Sequence, residues 1–437
     1  MSKIQIMSSF ADCPLDVIEL IIELLQGDLE ALKACSQTCG ALLPLCRKYI
    51  FQSVLLISSH SIGYRAYRSR RLSTVTVIRP KNWHLLDTNP TISEYIHTLT
   101  YFISTDDFSN DDVPCVLERL HHVRSFDVIS RYEKTDWKQT PPRLRDALLP
   151  VVQSRFITRL VISVSGFPIT AFLACVNLTD LSVYFVDFDY AGVAEQEPST
   201  LISSDLNFEV VPRLQLFAYG FMGERYAMKL LNAKCPNGGP MLDFTNVRTL
   251  SIYPGEQSNL ATAHALVKIT NNLETLRYNV YDFITTRFSC IAASISKPSL
   301  STLKRLHFDF ESVSHCDIRV FLNGIREELG TLSGLPNVIE EIAIEARMTN
   351  FSRADFRSAW ETLDTVLSNG FPMLRRVKFD VQMSVKSDDV PRVTEELDEI
   401  PTRYLPWLSN TTNFLFSFLT KVIAITPNNL QVVFEPL

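Results

Sequence analysis

Glycine is scarce in this chain, 14 residues in 437, and none of the glycine-rich patterns that cradle phosphates or dinucleotides occurs. HExxH and GxSxG are absent as well, so no catalytic residue is expected. Charge of one sign is also missing. Lys+Arg 42 against Asp+Glu 48 leaves a net charge of −6, which gives no basic field for a phosphate backbone, and nucleic acid is not an expected partner. No apolar run approaches the roughly eighteen residues that cross a bilayer. The nearest, "FLFSFLTKVIAI", is short and interrupted by Lys421. The opening residues lack a signal-peptide pattern, so a cytoplasmic or nuclear protein without a membrane partner is expected.

Paired cysteine spacing is a further absence. The nine cysteines are odd in number and scattered, as suits reduced thiols. Cys35 and Cys39 in "ALKACSQTCGALLP" raise the question of zinc. A closed site needs four ligands, and no histidine follows before His60. A redox pair would be CxxC, whereas this is CxxxC. Both thiols are therefore expected to pack as small hydrophobes, with no metal and no cofactor. His121–His122 opens a repeat, where one ring is expected to pack and the other to be exposed rather than to bind metal. The consecutive Ser314, His315 and Cys316 are not catalytic either, because adjacency in sequence does not position a base and its orienter.

What is present begins with helices. "PLDVIELIIELL" has Pro14 in a first turn and Asp16 and Glu19 near the positive end of the dipole. Its apolar residues fill two faces: Ile18, Ile21, Ile22 and Leu25 on one, Val17, Leu20 and Leu24 on the other. Gly27 suits a helix end, and Asp28 a cap on a second helix from Leu29 to Leu42 or Leu43. Pro44 would open a third, through Phe51. From Cys13 to Phe51, 23 of 39 residues are apolar, more than three short helices bury alone. A partner is implied, either another chain or the rest of this one.

The stretch "CPLDVIELIIELLQGDLEALKACSQTCGALLPLCRKYIFQSVLL" resembles an F-box, in the form abundant in fungi. The likeness rests on the early Pro, "IIxxL", a short polar break, "LxACSxxC" and "LP". It implies docking on the Skp-type adaptor of a cullin ligase. By position, the implied contacts are Pro14, Leu15, Ile18, Ile21, Leu25, Leu29, Leu32 and Leu43. Cys13 stands where the usual opening Leu would be, and Gly40 and Leu42 where Arg and Trp are common.

The run from Tyr64 to Arg71, with four arginines and two tyrosines, reads as a solvated face or linker rather than an RNA-binding strip. Then a pattern recurs: apolar, two residues, apolar, one residue, apolar. Its central residues are Leu99, Phe126, Leu160, Leu181, Phe217, Leu250, Leu276, Leu306, Ile342 and Val377, a loose period near thirty. Each copy ends in strand-like alternation, and intervening stretches such as "SAWETLDTVLSN" suit helices. Strand plus helix, repeated, makes a solenoid whose units bury their apolar faces only by stacking. It resembles a leucine-rich repeat, without that family's Asn or Cys position.

The expected fold is thus α/β: an N-terminal three-helix F-box module at residues 1–55, a junction at 56–90, and an irregular leucine-rich-repeat-like solenoid of parallel strands alternating with helices at 91–437. Outward strand positions, among them Thr100, Phe102, Asp127 and Ile129, should form the binding face. Tyr184, Tyr253, Arg277 and His307 are the candidate contacts to an unknown protein substrate. The expected function is that of a noncatalytic substrate receptor. The rival is a repeat scaffold whose helices merely cap the solenoid.

Overall fold

The computed structural model describes residues 13–57, 75–79, 82–130, 135–186, 210–220, 223–253, 257–281, 290–312, 318–349, 357–368 and 370–425. The Tyr64–Arg71 run, Ser314, His315 and Cys316 lie outside the described residues. Two compact units divide the chain, residues 1–177 and 178–436.

The first unit opens with α1 (Leu15–Leu24), α2 (Leu29–Thr38) and α3 (Leu42–Ile50). Asp28 caps α2 as expected, its Oδ1 accepting from the Ala31 N–H at 3.0 Å. The boundary between α2 and α3 differs from the expectation. Helix α2 stops at Thr38, and α3 starts at Leu42, two residues ahead of Pro44. Gly40 falls in the break, where its helix penalty costs nothing. Strands β1 (Ser53–Ile57), β2 (Thr76–Ile78), β3 (Thr98–Ile103), β4 (Ser125–Ser130) and β5 (Arg159–Ser163) follow. They run parallel, with β1 between β2 and β3, and β4 between β3 and β5. β1 and β2 both precede residue 91, where the strand array was expected to begin.

The second unit carries β6 (Asp180–Val183), β7 (Leu216–Tyr219), β8 (Thr249–Ile252), β9 (Thr275–Tyr281), β10 (Arg305–Ser312), β11 (Glu341–Thr349), β12 (Arg376–Lys386) and β13 (Leu415–Ile425). Each pairs in parallel with the next. Parallel neighbours need a crossover, and helices supply most of them, including Gln257–Ile269, Ile318–Ser333 and Arg357–Ser368. The chain is therefore α/β and solenoid-like, with strands and helices alternating.

The recurring pattern marks the strands correctly. All ten central residues, Leu99 to Val377, are 0% exposed. Leu181, Phe217, Leu250, Leu276, Leu306, Ile342 and Val377 stand in direct register across the second unit, and Leu99, Phe126 and Leu160 across the first. A backbone motif accompanies them. Two residues before eight of the ten centres, one carbonyl accepts two consecutive N–H groups from the next repeat, as Arg248 O does from Glu274 and Thr275 at 2.8 and 2.9 Å. Glu274 O, Lys304 O and Glu340 O repeat the arrangement.

Without an asparagine ladder, irregular turns are tied by other buried polar groups, as unpaired backbone polar groups are too costly to leave. Glu328, 0% exposed, accepts from the Ile291 N–H at 2.9 Å, the Ala292 N–H at 2.7 Å and the Tyr278 hydroxyl at 3.1 Å. Asp364 accepts from the Trp407 and Leu408 N–H groups, both at 3.0 Å. The Asn337 Nδ2 donates to Leu332, Leu335 and Gly370 carbonyls. Gly370 itself has φ +96°, and an added Cβ would lie 2.8 Å from the Ser333 Cα, so only glycine fits there.

Candidate functional site

Among the described residues, helix α1 is the feature of the surface least accounted for by the chain's own packing. At 100° per residue, Ile18, Ile22 and Leu25 fall on one side and Val17, Leu20, Ile21 and Leu24 on the other. The first side closes the bundle: Ile18 and Ile22 join Leu32, Leu42, Cys46 and Ile50 in a core against which Leu25, Leu29 and Cys35 also pack. The second side faces solvent. Val17 is 42% exposed, Leu20 61%, Ile21 39% and Leu24 79%, with Leu15 in the first turn at 65%. These five are half of the exposed large hydrophobic residues among the described residues. Lys48 of α3 anchors α1 through an ion pair to Glu19 at 3.1 Å.

This geometry sorts the eight residues implied by the F-box likeness. Pro14, Leu15 and Ile21 are exposed, and Leu25, Leu29 and Leu43 are partly buried. Ile18, at 8% exposure, and Leu32, at 0%, are enclosed in the bundle core and cannot form an outer contact surface; they hold the helices together. Val17, Leu20 and Leu24, which the likeness does not single out, are exposed on the outer side of the helix. Their helical spacing was legible, but which of two apolar faces turns inward depends on where α2 and α3 lie. The cysteines divide likewise. Cys35 packs against the core, whereas Cys39 sits exposed past the end of α2, contrary to the expected burial. Cys46 is fully buried, and burial, with Cys35 nearby, raises its thiol above its ordinary value. Among the described residues, no three His, Cys, Asp or Glu side chains gather as metal ligands. No helix there is long and apolar enough to cross a membrane.

The sheet face named as a substrate surface is only partly open. In the first unit, Phe102 and Ile129 are buried with Leu55 and Ile57, and Val75 and Val77 pack against them. These outward positions are apolar and close on one another once β1 and β2 extend the sheet. In the second unit Tyr253 is 3% exposed, so it too is withdrawn from the surface. Tyr184 is partly buried, its ring lying so close to Gly220 that a Cβ there would collide with Cδ1. Arg277 is exposed and His307 half-buried, and the two are direct cross-strand partners on β9 and β10. Burial, then the Arg277 charge, holds the His307 imidazole below its ordinary value.

No protein-family model matches this sequence, and no curated protein matches it.

Proposed function

We propose that this chain is a noncatalytic substrate receptor of a cullin-based ubiquitin ligase, in which α1–α3 act as an F-box on a Skp-type adaptor. A leucine-rich-repeat-like sheet would then present a protein substrate. The observation that carries the reading is the outer stripe of α1: Val17, Leu20, Ile21 and Leu24 follow i, i+3, i+4, i+7 spacing, and their side chains remain in water. A contiguous exposed apolar surface of this kind marks an interaction site. An amphipathic helix offering it fits the helix-in-groove mode of recognition. Burying a large aliphatic side chain is worth about 1.5–3 kcal/mol, so four partly exposed ones favour association by several kcal/mol before the entropy of binding is charged. The receptor's contribution would be proximity of substrate lysine to the charged conjugating enzyme, which calls for no bond-breaking residue. Co-purification of the full chain with a Skp-type adaptor tests the reading, with Val17→Asp and Leu20→Asp together abolishing it.

The capping scaffold is favoured by a different observation. β1 begins three residues after α3 ends, and the Thr76 hydroxyl of β2 donates to the Ile50 carbonyl at the end of α3. The helices thus abut the β2–β1 end of the first unit's sheet. A pure cap would, however, turn a polar side outward, and α1 turns an apolar one.

A further inference from the structure

The face of β9–β12 that carries Arg277 and His307 is rich in charge, and nearly all of it is paired. Glu341 meets Arg376 at 3.8 Å. Glu345 meets Lys378 at 3.4 Å and Arg347 at 3.9 Å, and Lys378 also reaches Asp380 at 3.2 Å. Among its cations, Arg277 and Arg305 are the exceptions. Both are exposed, and neither closes an ion pair or donates a side-chain hydrogen bond among the described residues. Arg305 lies two residues before His307 on β10, hence on the same face, and Arg277 lies directly across from His307. Burial first and Arg277 next lower the affinity of His307 for a proton, with Arg305 acting the same way and Glu341 and Glu345 opposing it.

On its β8 side the pair meets Thr249, Ser251 and Thr275, which carry no charge. Asp309 lies two residues beyond His307 on β10, its carboxyl pushed up to about 6 by burial and by Glu345 against the opposing charges of Arg277, Arg347 and Lys378, and on the far side, on β11, stand the paired Glu341 and Glu345. A long polyanion laid across the sheet would run onto those carboxylates. A single anionic group approaching over β8 and β9 would not. We propose that Arg277 and Arg305, with His307 between them, bind one oxyanion, a carboxylate or phosphoryl group, on an extended segment of a partner protein. Guanidinium groups suit this because their fixed forks bind such oxygens in charge-assisted pairs. The inference rests on the reading of this face as the substrate surface and supplies the substrate's chemistry.

The test is fluorescence anisotropy of the full chain with four fluorescein-labelled twelve-residue Gly-Ser peptides. Each carries two adjacent central residues: glutamates, phosphoserines, glutamines or lysines. At low salt the glutamate or phosphoserine peptide should bind at least about tenfold more tightly than the glutamine and lysine peptides, and should weaken as salt shortens the Debye length to about 8 Å at 0.15 M. Equal binding of the two acidic peptides would make the carboxylate sufficient; an advantage for phosphoserine would identify the phosphoryl group. Arg277→Glu with Arg305→Glu should reduce the acidic peptides to the glutamine level. Should that pair disturb folding, Arg277→Gln with Arg305→Gln should do the same. Lys378→Gln, on the same face but already engaged by Glu345 and Asp380, should change binding less than about threefold. Acidic peptides that bind no better than glutamine, or that bind folded double variants undiminished, would overturn the proposal. Adaptor association of the same variants, read separately, distinguishes this failure from failure of the receptor reading.

Discussion

Glu328 shows how one residue carries a turn that the repeat pattern does not specify. Three donors converge on a carboxylate that burial pushes up to about 7 from an ordinary 4.5. Because the folded group holds its proton at higher pH than the unfolded one, its contribution is fully present below about 4.5 and lost as pH rises through about 7. The rise corresponds to roughly 3 kcal/mol of folding free energy. Chemical denaturation of Glu328→Gln should therefore show a shallower fall in stability between those two values than the natural chain. It should also show lower stability overall, by about 1–3 kcal/mol, because an amide offers one acceptor to two backbone donors. Gly370 makes a second, independent case. Gly370→Ala forces a Cβ onto Ser333 at a positive φ and should cost about 1–3 kcal/mol in the same measurement. Neither role was visible in the sequence. Glu328 reads there as one more acidic residue on an amphipathic helix, and only the placement of the 291–292 turn beneath it supplies its partners.

Among the elements, α1 divides most sharply between a packed and an open face. Ile18 and Val17 are adjacent in sequence and opposite in role. Ile18→Asp would bury an unpaired charge in the bundle and should lower stability by at least about 3 kcal/mol. Val17→Asp with Leu20→Asp alters only the outer stripe and should cost under about 1 kcal/mol for each change. Thermal melts of the two variants separate the faces. The strands were the most legible elements, because each repeat's buried centre needs an apolar residue and its neighbours alternate. β1, β2 and β13 carry a weaker strand signal for particular reasons. β1 is the near-continuous "SVLLI", buried at its last four positions, without the alternation that marks a half-buried strand. β2 has only three residues, and β13 lies in the apolar run "FLFSFLTKVIAI", whose length invites comparison with a membrane span rather than a strand. The choice between the two faces of α1 was illegible, since both are apolar at helical spacing.

Considered as a whole, the chain joins a helical module to an array of repeats that depend on one another. β1 pairs along its length with β3, from Ser53 opposite Thr98 to Ile57 opposite Phe102. A fragment starting at residue 91 would strip that partner from β3 and uncover Phe102. It should aggregate whether or not α1–α3 are a cap. A fragment starting at residue 52 keeps β1 and removes only the helices. If they serve to dock a partner, this fragment should remain monomeric and melt cooperatively; if they cap the array, it should aggregate in light scattering.

The most direct measurement is titration of the purified full chain with a purified Skp-type adaptor by calorimetry, alongside the Val17→Asp, Leu20→Asp double variant. The outer stripe of α1 predicts a dissociation constant of micromolar or tighter for the natural chain, and a loss of at least about a hundredfold, near 2.7 kcal/mol, for the variant. An absence of heat and of co-elution at tens of micromolar, or equal affinity in a folded variant, would contradict it.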